Sequence, residues 1–203
     1  MIGYFVFYIF LLKFYPMKRI IYLFIFIFSF FFSDSYCQKS SSKRKKSEFV
    51  QVISPQKFYL NSASTITGTC RTEYKLTLPP GTKDWYFSVT TSKGNSPAGT
   101  INLLSQLTRL YDPTGTTAIV SELILTPPGT GYCDLYLMDY NNLYTYKNRP
   151  FKKFYYYDFR KNFVSGTVNV NNLSSGTYYL LFYNPNMMQG VNITLEVVAL
   201  VER

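Results

Sequence analysis

From residue 72 to residue 201, apolar and polar residues alternate in short runs, and turn-forming residues separate those runs. A period of two is the spacing of a half-buried β-strand, whose successive side chains point to opposite faces. Thr72–Leu78 places Tyr74, Leu76 and Leu78 on one face. Trp85–Thr90 does the same with Trp85, Phe87 and Val89, and the pattern recurs in 134–139, 164–170, 178–183 and 191–201. Pro79-Pro80-Gly81, Lys93-Gly94-Asn95, Asp112-Pro113-Thr114-Gly115, Pro127-Pro128-Gly129 and Ser174-Ser175-Gly176 punctuate the runs. Many short strands with Gly/Pro turns predict a mainly β chain, an antiparallel β-sandwich or jelly roll.

One stretch breaks the period. Over 100–111, Ile101, Leu104, Leu107 or Thr108, and Tyr111 share a helical face, and Thr100 is placed to cap it. Residues 117–125 are read as a second short helix in preference to a strand. The expected architecture is therefore a sandwich with one or two short helical insertions at about 100–124.

The N-terminus reads as an export signal. Met17-Lys18-Arg19 is a short positive region, and Ile20–Phe32 is an apolar core of signal-peptide length. Ser35 and Cys37 are small residues at the −3 and −1 positions of a cut that leaves Gln38 first. Residues 1–37 are thus assigned to a signal peptide, with 1–16 lying upstream of a second start at Met17. The alternative is an uncleaved anchor, but Lys13, Pro16, Lys18 and Arg19 interrupt the roughly 20-residue apolar span that a membrane helix needs. The expected location is exported: periplasm, cell surface or secreted.

Residues 38–48 form a basic tail with Lys39, Lys43, Arg44, Lys45 and Lys46, and 49–203 form one domain. The tail is expected to be disordered, a solvated spacer or a weak contact for an anionic membrane surface. The chain carries a formal charge of +10, but the domain holds only 13 Lys or Arg against 9 Asp or Glu. A nucleic-acid partner would need a basic face on the fold itself, and none is expected. In an oxidising compartment Cys70 and Cys133 are a candidate disulfide, closing a loop worth roughly 4 kcal/mol in the chain-entropy model. Two buried free thiols are the plainer alternative.

The chain contains no histidine. That excludes Ser-His-Asp and Cys-His nucleophile arrangements and histidine-based zinc sites. Glu73, Asp84, Asp112, Glu122, Asp134 and Asp139 are the carboxylates a glycosidase would draw on, and no pair among them stands out. No phosphate loop or EF-hand spacing occurs, so neither catalytic residues, a cofactor nor a metal site is assigned. Asp112 and Asp139-Tyr140-Asn141-Asn142 are oxygen-rich, but such residues commonly serve Asx turns.

The chain has 20 Tyr and 18 Phe, and 132–161 concentrates aromatics beside Lys147, Arg149, Lys152, Lys153, Arg160 and Lys161. Aromatic rings beside cations suit stacking on sugar rings or a membrane interface. Tyr140, Tyr144, Tyr146, Tyr155 and Tyr157 are the candidate ligand-binding residues. The competing reading is that most of these rings pack the core.

Lys83-Asp84-Trp85-Tyr86-Phe87-Ser88-Val89 resembles the D-W-Y-x-F strand of bacterial pre-peptidase C-terminal-like domains. Leu173–Asn184 followed by Val191–Val197 is similar to that family's L-x-x-G-T-Y-Y-L hairpin and final strand. A signal ending in Cys-Gln also resembles exported proteins of Bacteroidetes. The resemblance implies an exported β-sandwich accessory to secreted enzymes or surface proteins, and it supplies no catalytic residues. The function expected is a non-catalytic binding module of the cell envelope or secretome, with an envelope protein or polysaccharide as partner. The alternative is a carbohydrate-binding module or glycan-active enzyme that uses the Tyr-rich 132–157 surface.

Overall fold

A computed structural model describes residues 47–94, 96–111, 124–149 and 151–203. The signal peptide, the cleavage site at Cys37 and Gln38, and nearly all of the basic tail lie outside the described residues, as do 117–123 of the second helical reading. Among the described residues no helix is long and apolar enough to cross a membrane.

The expected β-sandwich is present. Eight strands are β1 (Ser47–Leu60), β2 (Arg71–Leu78), β3 (Thr82–Lys93), β4 (Cys133–Met138), β5 (Asp158–Phe163), β6 (Ser165–Val170), β7 (Gly176–Tyr183) and β8 (Val191–Glu202). They form two antiparallel four-stranded sheets in the orders β1-β8-β3-β6 and β2-β7-β4-β5. The inner faces meet in a core that includes Leu76, Trp85, Phe87, Leu135, Leu137, Phe182, Leu195 and Val197. Each fully buried large side chain contributes about 1.5–3 kcal/mol of transfer free energy. The alternation read around Trp85, Phe87 and Val89 thus marks the inward face of β3, where all three are fully buried.

β3 and β8 are central strands and are buried on both faces. Their outer side is covered by helix α1 (Leu103–Leu110), whose Leu103 and Leu107 pack with Ile101 against Tyr86 and Val198. The cap is not Thr100. Asn102 holds the N-cap position without a side-chain bond, and the carboxylate of Glu196 on β8 replaces it. Glu196 accepts from the Leu103 N–H at 2.7 Å, the Leu104 N–H at 3.2 Å and Gln51 Nε2 at 2.9 Å. A carboxylate at a helix N-terminus satisfies orphan donors and meets the positive end of the helix dipole. In the middle of α1, Gln106 clamps Leu125 by accepting from its N–H and donating to its carbonyl.

Several boundaries differ from expectation. The first strand begins at Ser47, so the last two residues assigned to the tail belong to the sheet, where Glu48 pairs with Arg203. β1 and β5 had no clear period of two. A further helix that the sequence reading did not expect, α2 (Tyr140–Asn148), lies between β4 and β5.

Cys70 and Cys133 are free thiols, not a disulfide. Strand order gives the reason. Arg71 and Asp134 both pair with Tyr183, from opposite sides of β7. The neighbouring cysteines are therefore held two strand spacings apart, roughly 9–10 Å, whereas a disulfide needs Cα atoms within about 7 Å.

The expected turn at Pro79-Pro80-Gly81 is present. Thr82 N–H donates to the Pro79 carbonyl, and Gly81 takes a φ of +83° there. A Cβ at Gly81 would meet the Glu202 carbonyl oxygen at 2.5 Å, so both conformation and space require glycine. Among the described strands every connection crosses between the two sheets except that between β4 and β5, which carries α2.

Candidate functional site

Neighbouring antiparallel strands can be joined by about two to five residues. β4 and β5 are joined instead by residues 139–157, which cover the outer face of the β2-β7-β4-β5 sheet. Local chemistry holds this long insertion in place. Asp139 caps α2, its carboxylate accepting from the Asn142 N–H at 2.8 Å and Asn142 Nδ2 at 2.9 Å. Asn142 Oδ1 in turn accepts from the Tyr155 N–H at 2.8 Å, tying the return segment to the helix. Tyr157 N–H then donates to Leu137 at 2.7 Å and starts the β5 pairing. Asp139 thus serves the local backbone, as its turn-forming character suggests.

The aromatic residues of the insertion separate into two sets. One set packs down onto the sheet. Tyr136 stacks on Phe159 with centroids 4.4 Å apart, and Tyr146, Phe154 and the half-exposed Tyr156 surround it at 6.0–6.1 Å. Burial, reinforced by the Asp134 charge, pushes the Tyr136 phenol up to about 12. Burial also raises that of Tyr146, a half-buried ring with Arg71 over its face. Tyr146 therefore belongs with the packing rings, not with the exposed candidates.

The other set faces outward. Tyr140 is 59% and Tyr155 65% exposed, and Tyr144 and Tyr157 are also exposed. Tyr140 and Tyr144, one helical turn apart on α2, have centroids 6.5 Å apart and planes tilted by 37°. Tyr179 of β7 extends this pair at 6.0 Å from Tyr140. Arg149 lies over Tyr144 at 5.7 Å and Lys153 over Tyr155 at 5.5 Å. Tyr157 meets Tyr178 edge-on at 5.7 Å, and burial raises its phenol. Phe151 is fully exposed between helix and return segment. Tyr178 and Tyr179 are contributors that sequence reasoning placed only in a strand; their signal is a pair of adjacent rings, one for each face.

The carboxylates considered for catalysis are dispersed. Glu73 pairs with Lys147, Asp134 accepts from the Asn162 N–H, and Asp139 caps α2. Asp84, near the start of β3, is half-buried, and desolvation raises its carboxyl. Asp112 and Glu122 lie outside the described residues. Among the described residues no group of three Cys, Asp or Glu is arranged to hold a metal ion.

A second feature adjoins Tyr157. A cleft of about 200 Å³ opens between the edge strands β5 and β6, lined by Leu137, Tyr157, Asp158, Arg160, Val170 and Asn169–Asn172. The arrangement can bind through flat rings, two cations and hydrogen-bonding side chains; it brings no acid–base pair together. No protein-family model matches the chain, and no curated protein matches its sequence.

Proposed function

We propose that this chain is an exported, non-catalytic binding module of a cell envelope or secretome, and that it binds through the aromatic face of residues 139–157. One observation carries the reading: Tyr140, Tyr144, Tyr155 and Tyr157 stay exposed on an insertion that is braced by its own hydrogen bonds. A soluble protein gains nothing in folding from rings left in water, and large exposed apolar groups gathered on one face favour an interaction site. The signal-like N-terminus and the resemblance to pre-peptidase C-terminal-like domains support export. The engagement of Glu73, Asp134, Asp139 and Glu196 in structural contacts supports a non-catalytic role.

An envelope polysaccharide is the partner best suited to this face. Tyrosine rings offer an apolar surface to the C–H face of a sugar while their hydroxyls reach polar groups. Arg149 and Lys153 add cations that would meet acidic substituents. The test is retention of the full chain on insoluble polysaccharides, peptidoglycan and anionic vesicles, at low and high salt. Retention on a glycan that survives high salt supports stacking. Binding lost with salt assigns the contact to surface charge and the basic tail. No retention on any glycan overturns the polysaccharide reading and leaves a protein partner.

A further inference from the structure

We propose that the cleft between β5 and β6 is a subsite for a single neutral pyranose residue, continuous with the aromatic face at Tyr157. The proposal rests on the glycan form of the reading above.

The unusual element is β5. Leu135 pairs with Arg160 and Leu137 with Asp158, so these two charged residues sit on the inward side of their sheet. Elsewhere that side is apolar: Leu76, Leu135, Leu137, Leu180 and Phe182 all belong to the core. Inward charges on an edge strand do discourage edge-to-edge pairing, but that role needs no cavity. Here the sandwich stays open beside them, with Leu137 and Val170 also lining the space.

The chemistry of the walls selects the ligand. Asp158 Oδ2 accepts from Arg160 Nε at 2.9 Å, and its Oδ1 accepts from the Phe159 N–H at 2.9 Å. The pair is neutral as a unit, which disfavours a bare anion or cation. Arg160 makes no other hydrogen bond among the described residues, so its two terminal nitrogens remain free to donate. On the β6 side, Asn171 and Asn172 are exposed, and their amides offer donors and acceptors together. Tyr157 presents a partly exposed ring to the same cleft. A hydroxyl both donates and accepts, so a ring edged with hydroxyls answers the amides and the guanidinium at once. Its C–H face answers Tyr157, Leu137 and Val170. An apolar ligand would leave the guanidinium and amide groups of the cleft without a partner and gain only the contacts with Tyr157, Leu137 and Val170. The volume fits one ring and not an oligosaccharide, since pockets for larger ligands run from about 300 Å³ upward.

The test is a titration of the isotopically labelled full chain with glucose, galactose, mannose, rhamnose and N-acetylglucosamine, with inorganic phosphate as the anionic probe, read on backbone amide resonances. The expected result is a saturable shift with at least one sugar, centred on Tyr157–Arg160 and Asn169–Asn172. Arg160→Met and Asn172→Ala should each weaken it at least tenfold, while Tyr140→Ala/Tyr144→Ala/Tyr155→Ala should leave it intact. Asn172 is exposed and makes no side-chain hydrogen bond among the described residues, so that variant keeps the test open if Arg160→Met fails to fold. No saturable shift with any sugar, a shift with phosphate alone, or shifts indifferent to both cleft variants would overturn the proposal. Failure here with polymer retention intact removes the cleft and leaves the aromatic face standing. The reverse pattern removes the aromatic face and keeps the cleft.

Discussion

Glu196 is 1% exposed, so the polar atoms of its carboxyl group have to be answered within the fold. It is answered by two backbone N–H groups of α1 and by Gln51, which makes one side chain the joint between β1, β8 and the helix. Glu196→Leu removes the acceptor and leaves those donors buried, and should cost about 2–4 kcal/mol in urea unfolding. Glu196→Gln keeps one acceptor oxygen and should cost less. Buried tyrosine makes stability depend on pH. Burial pushes the phenols of Tyr86 and Tyr136 up to about 12, from the ordinary 10.0 that they regain on unfolding. Between those values the folded chain holds protons that the unfolded chain has lost. Stability is therefore fully present below pH 10 and falls as the pH rises toward 12. Chemical unfolding across that range should show the fall, and Tyr86→Phe should flatten it. A wild-type profile with no slope there would contradict the burial of these rings.

Among the elements, strand order governs the cysteines. Because β7 lies between β2 and β4, Cys70 and Cys133 should remain unlinked even under oxidising conditions. Alkylation of the folded protein followed by peptide mapping should label Cys70 readily. Cys133, fully buried and with its thiol pushed up to about 12, should be labelled only after unfolding. A linked Cys70–Cys133 peptide would contradict the strand order. Alternation made β2, β3, β4, β6, β7 and β8 legible in the sequence, since each keeps one clean apolar face. β1 was hidden because register shifts between Gln51 and Ile53 and between Ile53 and Gln56 break its period. β5 was hidden because its inward positions are Asp158 and Arg160, the inverse of the usual pattern. α2 escaped notice because Tyr-Asn-Asn-Leu-Tyr-Thr-Tyr-Lys-Asn has no strong apolar stripe and starts on Asp139, which reads equally as a turn. The exposed tyrosines of the candidate site were legible as a composition, but the division between exposed and packed rings was not. That division depends on how the return segment lies over Tyr136.

At the scale of the whole molecule, each sheet buries one face in the common core and covers its other face differently. The β1-β8-β3-β6 sheet is covered by α1, with Tyr86, Leu107 and Val198 buried in an apolar contact. The β2-β7-β4-β5 sheet is covered by the 139–157 insertion, which buries Met138, Leu143 and Leu181 yet leaves Tyr140, Tyr144, Tyr155 and Tyr157 exposed. Among the described residues only the second covering has more aromatic surface than its packing uses, and it grows from the connection between β4 and β5, neighbours that a short turn could join. This asymmetry is the reason to place binding there. It also makes the exposed rings dispensable for folding, so removing them separates binding from stability. The deciding measurement is polysaccharide retention at high salt for the wild type beside Tyr140→Ala/Tyr144→Ala/Tyr155→Ala, with the thermal unfolding of both recorded. The predicted result is a midpoint within a few degrees of the wild type, as expected for surface substitutions of about 0.5 kcal/mol or less each, and loss of retention by at least tenfold. Undiminished retention by a stably folded triple variant would contradict the account.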